Sequence, residues 1–323
     1  MSRNPQNKLR EAIPIPPPAP LPEPEAIDFG SVFNEYASGA IDLIVVLGPT
    51  ASGKTRLAVE LARKCGDGEI LSADSRQIYR GMDIGTGKDL DEYGDVPYHL
   101  IDIAPAGSRF DLYQWQQAIE AAYKDIRDRG RTPILCGGTG LYIQAATCGY
   151  TLPQVPPDEE LRAELERYDN ETLIERLKEF GPLPDEGVLQ SKRRIIRALE
   201  VATYEREHPV KRTGFLPKNP YCIGTLVSRE ERVARIDRRL DERLAGGLVE
   251  EVKRLIDSGI RPEDLVYYGL EYKFVTQYVL GILTWDEMRT LLANAIHQFA
   301  KRQMTWFRGM EKDGIKIHWT NQY

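Results

Sequence analysis

The feature that most constrains this chain is a glycine-rich segment between a compact apolar run, Leu43-Ile-Val-Val-Leu47, and a stretch with helical periodicity at residues 55–63. This order is typical of a P-loop, in which backbone amides point at one phosphate and the dipole of the following helix reinforces the grip. Lys54 adds a positive charge, and Thr55 can offer its hydroxyl to Mg²⁺. The segment that we predict to bind phosphate consists of Gly48, Pro49, Thr50, Ala51, Ser52, Gly53, Lys54 and Thr55.

Length and composition indicate a globular, enzyme-sized chain. Its 323 residues, 41% of them hydrophobic and 28% charged, are enough for a core and a second, smaller domain. No stretch approaches the ~18 apolar residues of a membrane span, and no apolar run marks a secretory signal, so we expect a cytoplasmic protein without a membrane partner. The four scattered cysteines suggest neither a disulfide framework nor a zinc site. A net charge of −6 opposes indiscriminate polyanion binding but leaves room for a local basic groove.

Further apolar runs predict strands that alternate with helical stretches. They lie at residues 69–73, 98–103, 133–136 and 221–227. This alternation predicts an α/β fold: a P-loop NTPase-like core with a mostly parallel sheet flanked by helices, plus an inserted small all-helical domain. The chain divides into a Pro-rich, disordered extension at 1–38, the core at 39–150 and 211–323, and the helical insertion at 151–210.

Two polar residues follow predicted strands and should meet at the carboxyl edge of the sheet, where open α/β folds bind their ligands. Asp74 is a candidate general base, although an Asp-Ser pair is also a common cap of a helix or turn. Glycines beside Thr139 allow close backbone approach. The strand that ends at Cys136 lacks the Asp with which P-loop hydrolases hold Mg²⁺. This favours a phosphate that is bound as a leaving group over one that is hydrolysed.

Cations outside the P-loop are candidate contacts for anions. A basic helix at residues 192–197 fits either a nucleic-acid contact or an ordinary solvated face. The block at 301–308 mixes aromatic residues with cations, which suits nucleic acid but equally a helix whose Trp306 belongs to the core. Arg229 follows the last predicted strand and could donate two parallel hydrogen bonds to a diphosphate, or it is simply an exposed Arg at a helix start.

Together these motifs resemble the tRNA dimethylallyltransferase, or isopentenyltransferase, family. The resemblance rests on six blocks in family order, at residues 48–55, 74–86, 99–102, 137–142, 194–201 and 300–308. It implies transfer of a dimethylallyl group from dimethylallyl diphosphate to N6 of adenine 37 in tRNA. Asp74 would take the proton of the amine, and Lys54, Arg229 and Mg²⁺ on Thr55 would stabilise the departing diphosphate.

The resemblance also implies which residues contact RNA. Thr139 would position the diphosphate or the amine, and the insertion would grip the anticodon stem-loop of a tRNA bound by a monomer. The residues that the family pattern places against tRNA are Asp74, Ser75, Arg76, Gln77, Thr139, Arg162, Lys192, Arg193, Arg194 and Arg197.

This chain departs from the family pattern at residues 185–190 and 267–273, both in parts expected to contact tRNA. The departures affect which tRNAs are used rather than the chemistry. Three alternatives stay open: a P-loop kinase of a small molecule, a relative that prenylates free AMP, and a non-catalytic RNA-binding module. The helical insertion favours RNA over AMP, because a free nucleotide needs no such clamp.

Overall fold

We describe the fold from a computed structural model, in which residues 20–210, 212–215 and 217–322 are placed. The strands of these residues are β1 (Leu43–Leu47), β2 (Gly68–Ser72), β3 (Tyr79–Arg80), β4 (Tyr98–His99), β5 (Ala104–Pro105), β6 (Thr132–Gly137), β7 (Leu152–Pro153), β8 (Arg212–Thr213), β9 (Pro220–Thr225) and β10 (Ile317–Thr320). Their helices are α1 (Phe29–Ala37), α2 (Lys54–Cys65), α3 (Leu112–Asp128), α4 (Gly140–Thr147), α5 (Glu159–Leu165), α6 (Asn170–Lys178), α7 (Glu186–Leu189), α8 (Lys192–Glu207), α9 (Arg229–Ala245), α10 (Leu248–Asp257), α11 (Pro262–Leu265), α12 (Leu270–Val279) and α13 (Trp285–Lys312).

A six-stranded sheet forms the centre of the molecule. Its strand order is β10-β9-β1-β6-β2-β4, and every neighbouring pair is parallel. The predicted α/β fold with a mostly parallel, helix-flanked sheet is therefore confirmed. Parallel strands end at the same edge of the sheet, so the loops after β1, β2 and β6 lie side by side.

Strand β1 shows why the sheet is covered on both faces. Successive side chains of a strand point to opposite faces, and all five residues of β1 are buried. Leu43, Val45 and Leu47 join a cluster that includes residues of α3, α4, α9, α10, α12 and α13, whereas Ile44 and Val46 join a second cluster with residues of α1 and α2. The late helices α9, α10, α12 and α13 therefore pack against one face of the sheet.

Two strands of the central sheet differ most from the prediction, and the two small two-stranded sheets, β3-β5 and β7-β8, were not predicted. The run at 98–103 continues as a strand only to His99, because Leu100 (φ 68°) and Asp102 (φ 58°) turn the backbone out of the extended region. Strand β10 was not expected; it is four residues long, too short to give a clear alternating pattern, and it is specified by its pairing with β9.

The predicted disordered extension needs correction where the structure describes it. Asp28 caps α1 by accepting the N–H groups of Gly30 and Ser31, and Val32 is buried against the sheet cluster that contains α2. The Glu25 N–H donates to the Trp319 carbonyl at 2.6 Å, so the segment lies along β10. The folded part of the chain therefore begins before residue 39. The sequence did not predict α1, because the segment is rich in proline and has few apolar residues. Residues 1–19 lie outside the described residues.

Helices α5 to α8 fall within the residues of the predicted insertion. They share a hydrophobic cluster of their own, in which Leu165, Leu173, Leu177, Ile195, Ile196 and Leu199 are buried. The antiparallel pair of β7 and β8 brings the two ends of this segment together. Among the helices that the structure describes, none combines the length and apolar character needed to cross a membrane.

Candidate active site

A cavity of about 860 Å³ opens at the carboxyl edge of the sheet. Its walls come from the P-loop, the loops after β2 and β6, residues 85–93, one face of α9, the start of α12 and the middle of α13. Ligand sites commonly measure roughly 300–1,000 Å³. The cavity is therefore large enough for more than one small group.

The P-loop has the backbone geometry that its sequence predicts. Ala51 (φ 62°) and Gly53 (φ 83°) lie in the left-handed region just before α2 begins at Lys54. A side chain at position 48 would clash, because its Cβ would lie 2.1 Å from Thr225 Oγ1. Thr225 also shares a 2.5 Å hydrogen bond with the buried Ser52 hydroxyl. The loop is thus fixed to β9 from behind, with its open side toward the cavity.

Two cations that line the cavity, Lys54 and Arg239, have lowered pKa values, although Arg239 also forms an ion pair with Asp89 at 3.9 Å. Burial lowers the pKa of Lys54, an effect opposed by Cys136 and Asp74. Burial also lowers the pKa of Arg239, with Arg243 adding to the effect, although 38% of the Arg239 side chain is open to water within the cavity. An anion that entered would stabilise both charged forms. The electrostatics of the free site therefore favour a ligand with phosphate groups.

One face of α9 supplies arginines to this site. Arg235, Arg239 and Arg243 recur at four-residue spacing and line the cavity together with Arg238. Arg239 donates to Thr50 Oγ1 at 2.9 Å, which brings its guanidinium against the P-loop.

The structure corrects the arginine that we expected at the diphosphate. Arg229 is exposed at the first position of α9 and does not belong to the cavity lining. A helix rises about 1.5 Å per residue, so Arg229 lies roughly 15 Å along the axis from Arg239. Arg239 occupies the place predicted for Arg229, and its four-residue repeat with Arg235 and Arg243 was the sequence signal that could have shown it.

Asp74 and Thr139 meet at the sheet edge as expected, and both line the cavity. Asp74 Oδ1 accepts the N–H of Arg76 at 2.9 Å, so part of the turn-cap interpretation is right as well. Thr139 Oγ1 accepts the N–H of Ser75 at 3.0 Å, and the Thr139 N–H donates to the Ala73 carbonyl. These bonds tie the two loops together and place a carboxylate and a hydroxyl beside each other.

The other residues of the 74–77 block line the cavity while holding its wall in place. Arg76 donates to the Tyr267 carbonyl at 2.5 Å, which connects the loop after β2 to the residues before α12. Gln77 accepts from the Ser72 hydroxyl and donates to the Gly87 carbonyl. Ser75 also accepts a hydrogen bond from Thr139 Oγ1.

The buried Gln303 of α13 was not predicted as a site residue. Its Oε1 accepts the Thr50 N–H at 2.8 Å, and its Nε2 donates to the Gly138 carbonyl at 2.7 Å. It therefore connects the P-loop to the loop that carries Thr139. The one signal in the sequence is its position in the 300–308 block that carries the family resemblance, because a single Gln on an amphipathic helix has no pattern of its own.

Trp306 is not a core residue. Its side chain lines the cavity with 40% of its surface exposed, and it packs so closely on Gly140 that a Cβ there would lie 2.5 Å from the ring. Phe299 and Leu141 are similarly exposed and also line the cavity. These side chains give the site an apolar wall beside its charged residues.

The predicted basic helix lies apart from the cavity, and most of its cations have partners within the insertion. Arg162 and Arg197 both bond the buried carboxylate of Glu200, to which Arg162 Nε lies at 2.8 Å. Lys192 pairs with Glu166, and Arg194 donates to the Gly187 carbonyl. Arg193 is exposed, with no bonded partner in the described part of the chain. The structure therefore gives Arg162 and Arg197 a structural task and leaves contact with tRNA as a prediction.

The residues of the P-loop are compatible with Mg²⁺ carried by a phosphate. Thr55 lines the cavity, and its hydroxyl makes no hydrogen bond within the described residues. Those residues contain no cluster of three or more His, Cys, Asp or Glu side chains that would hold a metal ion by itself. Mg²⁺ on a phosphate needs few protein ligands because it keeps water and phosphate oxygens.

Comparison with known proteins gives consistent results. A family model described as IPP transferase matches residues 77–310, and one described as isopentenyl transferase matches residues 41–93. tRNA dimethylallyltransferase 2 of Porphyromonas gingivalis is 53% identical over 281 residues, which cover 86% of this chain and 93% of that protein. The corresponding protein of Bacteroides fragilis is 50% identical over 284 residues, covering 87% and 92%. A solved structure, the full-length tRNA isopentenylpyrophosphate transferase from Bacillus halodurans, has a TM-score of 0.62 and 36% identity over 86% of this chain and 88% of that one.

Proposed function

Because this chain belongs to the IPP transferase family, we propose that it transfers the dimethylallyl group of dimethylallyl diphosphate to N6 of adenine 37 in tRNA and releases diphosphate. The observation that carries the proposal is a single cavity that joins a P-loop to a carboxylate and a hydroxyl. A binding module would need no such pairing. We also propose that the protein acts in the cytoplasm as a monomer.

The chemistry requires that a weak nucleophile lose a proton as it attacks. The N6 amine of adenine becomes a better nucleophile when a base accepts its proton during formation of the C–N bond. Asp74 lines the cavity beside Thr139, and its Oδ1 is already fixed by the Arg76 N–H, which leaves Oδ2 for the amine. Thr139 would orient the amine or the diphosphate.

The allylic C–O bond breaks as the C–N bond forms, and the electron pair leaves with the diphosphate. The P-loop amides, Lys54 and Arg239 lie where that negative charge can be stabilised. Mg²⁺ held by Thr55 and the diphosphate oxygens would supply further positive charge there. Because an anion favours the charged forms of Lys54 and Arg239, the substrate and the diphosphate product would be stabilised by the same residues.

Adenine must leave its stack to enter the cavity, at a cost of a few kcal/mol. The exposed Trp306 and Phe299 offer aromatic surface where bases can stack. We propose that the RNA approaches over this apolar wall and that the insertion, through Arg193 and its neighbours, contacts the anticodon stem-loop. Specificity among tRNAs would then depend on the two segments whose sequences differ from the family pattern, at 185–190 and 267–273.

The test is a competition among acceptors. The protein is incubated with dimethylallyl diphosphate labelled in the allyl group and with bulk tRNA, AMP, or ATP plus small hydroxyl compounds. We expect label in tRNA, located at N6 of adenine 37. Label in AMP alone, or consumption of ATP alone, would show that the proposal is wrong.

A further inference from the structure

Tyr93 is the one buried phenol of the cavity wall that the reaction described above does not use. It follows the 3₁₀ turn Leu90–Glu92, its side chain is only 3% exposed, and it lines the cavity. Its ring packs against the ring of Tyr98, with centroids 4.8 Å apart. The backbone on both sides is fixed, because the Tyr93 N–H donates to Leu90 and the Tyr93 carbonyl accepts from Val96. The side chain is therefore held in one place.

The hydroxyl of Tyr93 has no hydrogen-bond partner among residues 20–210, 212–215 and 217–322. The oxygen itself is not sealed in the core, since it does not belong to the fully buried, unbonded polar atoms of the described chain, and it can therefore bond water or a ligand. An oxygen that is unbonded, enclosed and still reachable from the cavity is positioned to meet a ligand.

The charges around the hydroxyl indicate how it would bind. Burial raises the pKa of Tyr93, and the nearby Cys136, Asp74, Glu92 and Asp89 raise it further, so the phenol keeps its proton and can donate. Three of these groups, Cys136, Asp74 and Glu92, also act on the Lys54 ammonium. Tyr93 and Lys54 also both line the cavity, so a ligand that extends from Lys54 along this wall can reach Tyr93.

We propose that the Tyr93 hydroxyl binds substrate by donating a hydrogen bond to the diphosphate of the prenyl donor. This inference rests on the proposed function, because it takes the diphosphate as the ligand of the P-loop. Diphosphate is the acceptor-rich group of that reaction, whereas the attacking N6 amine is a donor. The carboxylates of Asp74, Glu92 and Asp89 do not bond the phenol in the free protein, so its donor is available.

The test removes only the oxygen. Tyr93→Phe keeps the ring and its packing against Tyr98, and the control Tyr98→Phe removes a neighbouring hydroxyl that does not line the cavity. Binding of inorganic diphosphate with Mg²⁺ is measured by calorimetry on the full chain without RNA. A hydrogen bond to a charged group predicts about tenfold or greater loss of affinity in Tyr93→Phe and none in Tyr98→Phe.

Steady-state kinetics separates the alternatives. We expect the KM for dimethylallyl diphosphate to rise by about the same factor in Tyr93→Phe while the KM for tRNA stays constant. Equal diphosphate affinity in wild type and Tyr93→Phe would overturn the inference, as would a change confined to the KM for tRNA. If the wild-type protein failed to bind diphosphate, the proposed function itself would fail.

Discussion

The two carboxylate oxygens of Asp74 have different surroundings. Oδ1 accepts the Arg76 N–H, whereas Oδ2 has no bonded partner in the described part of the chain. The same side chain can therefore form a local turn and act as a base. The Arg76 bond fixes the orientation of the carboxylate, which a base needs if it is to meet a proton in a defined place.

The role of Asp74 predicts that Asp74→Asn is inactive but intact. The amide oxygen can still accept the Arg76 N–H, but the amide cannot accept the proton of the amine. We expect the single-turnover transfer rate to fall about 100-fold or more, with unchanged tRNA affinity and thermal stability. Asp169→Asn is a matched control, because Asp169 accepts a comparable N–H at the start of α6. A wild-type rate in Asp74→Asn would remove Asp74 as the base.

Arg239 contacts the P-loop, whereas Arg229 lies outside the cavity lining, so the two arginines should respond differently to substitution. Arg239 has a planar fork that can bond two phosphate oxygens at once, which a lysine cannot reproduce. We expect Arg239→Lys to raise the KM for dimethylallyl diphosphate about tenfold, and Arg229→Lys to leave it unchanged. Titration of initial rates against the prenyl donor compares the two variants directly. The reverse pattern would restore the role first predicted for Arg229.

At the scale of elements, strand β2 is held by a buried carboxylate at its start. Glu69 accepts two hydrogen bonds from Arg129, just beyond α3, and a third contact comes from His99 of β4. These partners, with Arg129 first, lower the pKa of Glu69 to about 2. The bonds join three elements on the side of the sheet away from β10.

Glu69 therefore predicts a pH-dependent stability. Because the pKa of Glu69 is lower in the folded than in the unfolded state, its full contribution to the free energy of unfolding is present at pH values above the ordinary carboxyl pKa. This contribution is lost as the pH falls from there toward about 2. Glu69→Gln resembles the protonated form, so we expect it to lower the free energy of unfolding by on the order of 2 kcal/mol at pH 7 and by roughly half of that or less at pH 3. Chemical denaturation at both pH values measures the difference. An equal loss of unfolding free energy at both pH values would contradict this explanation. Glu60 forms an exposed ion pair with Lys64, so the control Glu60→Gln should change the free energy of unfolding little at either pH.

The insertion gives the second prediction at this scale. Glu200 is buried and accepts from Arg162, Arg197 and the Asp158 N–H. Arg162→Gln leaves that carboxylate less well paired, so we expect a clear loss of thermal stability in the insertion. Arg193→Gln, on the exposed face of α8, should leave stability unchanged and weaken tRNA binding a few-fold, with a smaller salt dependence.

Melting curves and tRNA titrations at two salt concentrations distinguish the two variants. If Arg162→Gln melted like the wild type and lost only RNA affinity, the structural task given to Arg162 would be wrong.

The sequence predicted the parts of the site whose chemistry is local. The P-loop, Asp74 and Thr139 each follow a strand directly, so their meeting at one sheet edge follows from the α/β pattern alone. The four-residue repeat on α9 could have drawn attention to Arg239, but the positions of Arg239 and Gln303 in the cavity depend on how α9 and α13 pack across the sheet, which no local pattern specifies. The pairing of Arg197 with Glu200 was visible as a three-residue spacing, but the burial of Glu200 was not.

At the scale of the whole molecule, the cavity is assembled from segments far apart in the chain. Thr50, Asp74, Arg239 and Gln303 line one space, and hydrogen bonds join the first of them to the last two. The described part of the N-terminal extension lies away from the cavity and contacts the edge of the sheet. There Glu25 pairs with His318 of β10, the strand that follows α13. The sheet edge at β10 is thereby covered rather than left open.

In the proposed reaction the group bound by the P-loop leaves as intact diphosphate, and no phosphoryl group is transferred. The most direct measurement is the product stoichiometry in one reaction with tRNA and dimethylallyl diphosphate, with labelled allyl groups in RNA counted against inorganic diphosphate and inorganic phosphate released. We expect one diphosphate for each allyl group transferred, and no phosphate. Release of phosphate, or diphosphate without allyl-labelled tRNA, would contradict it.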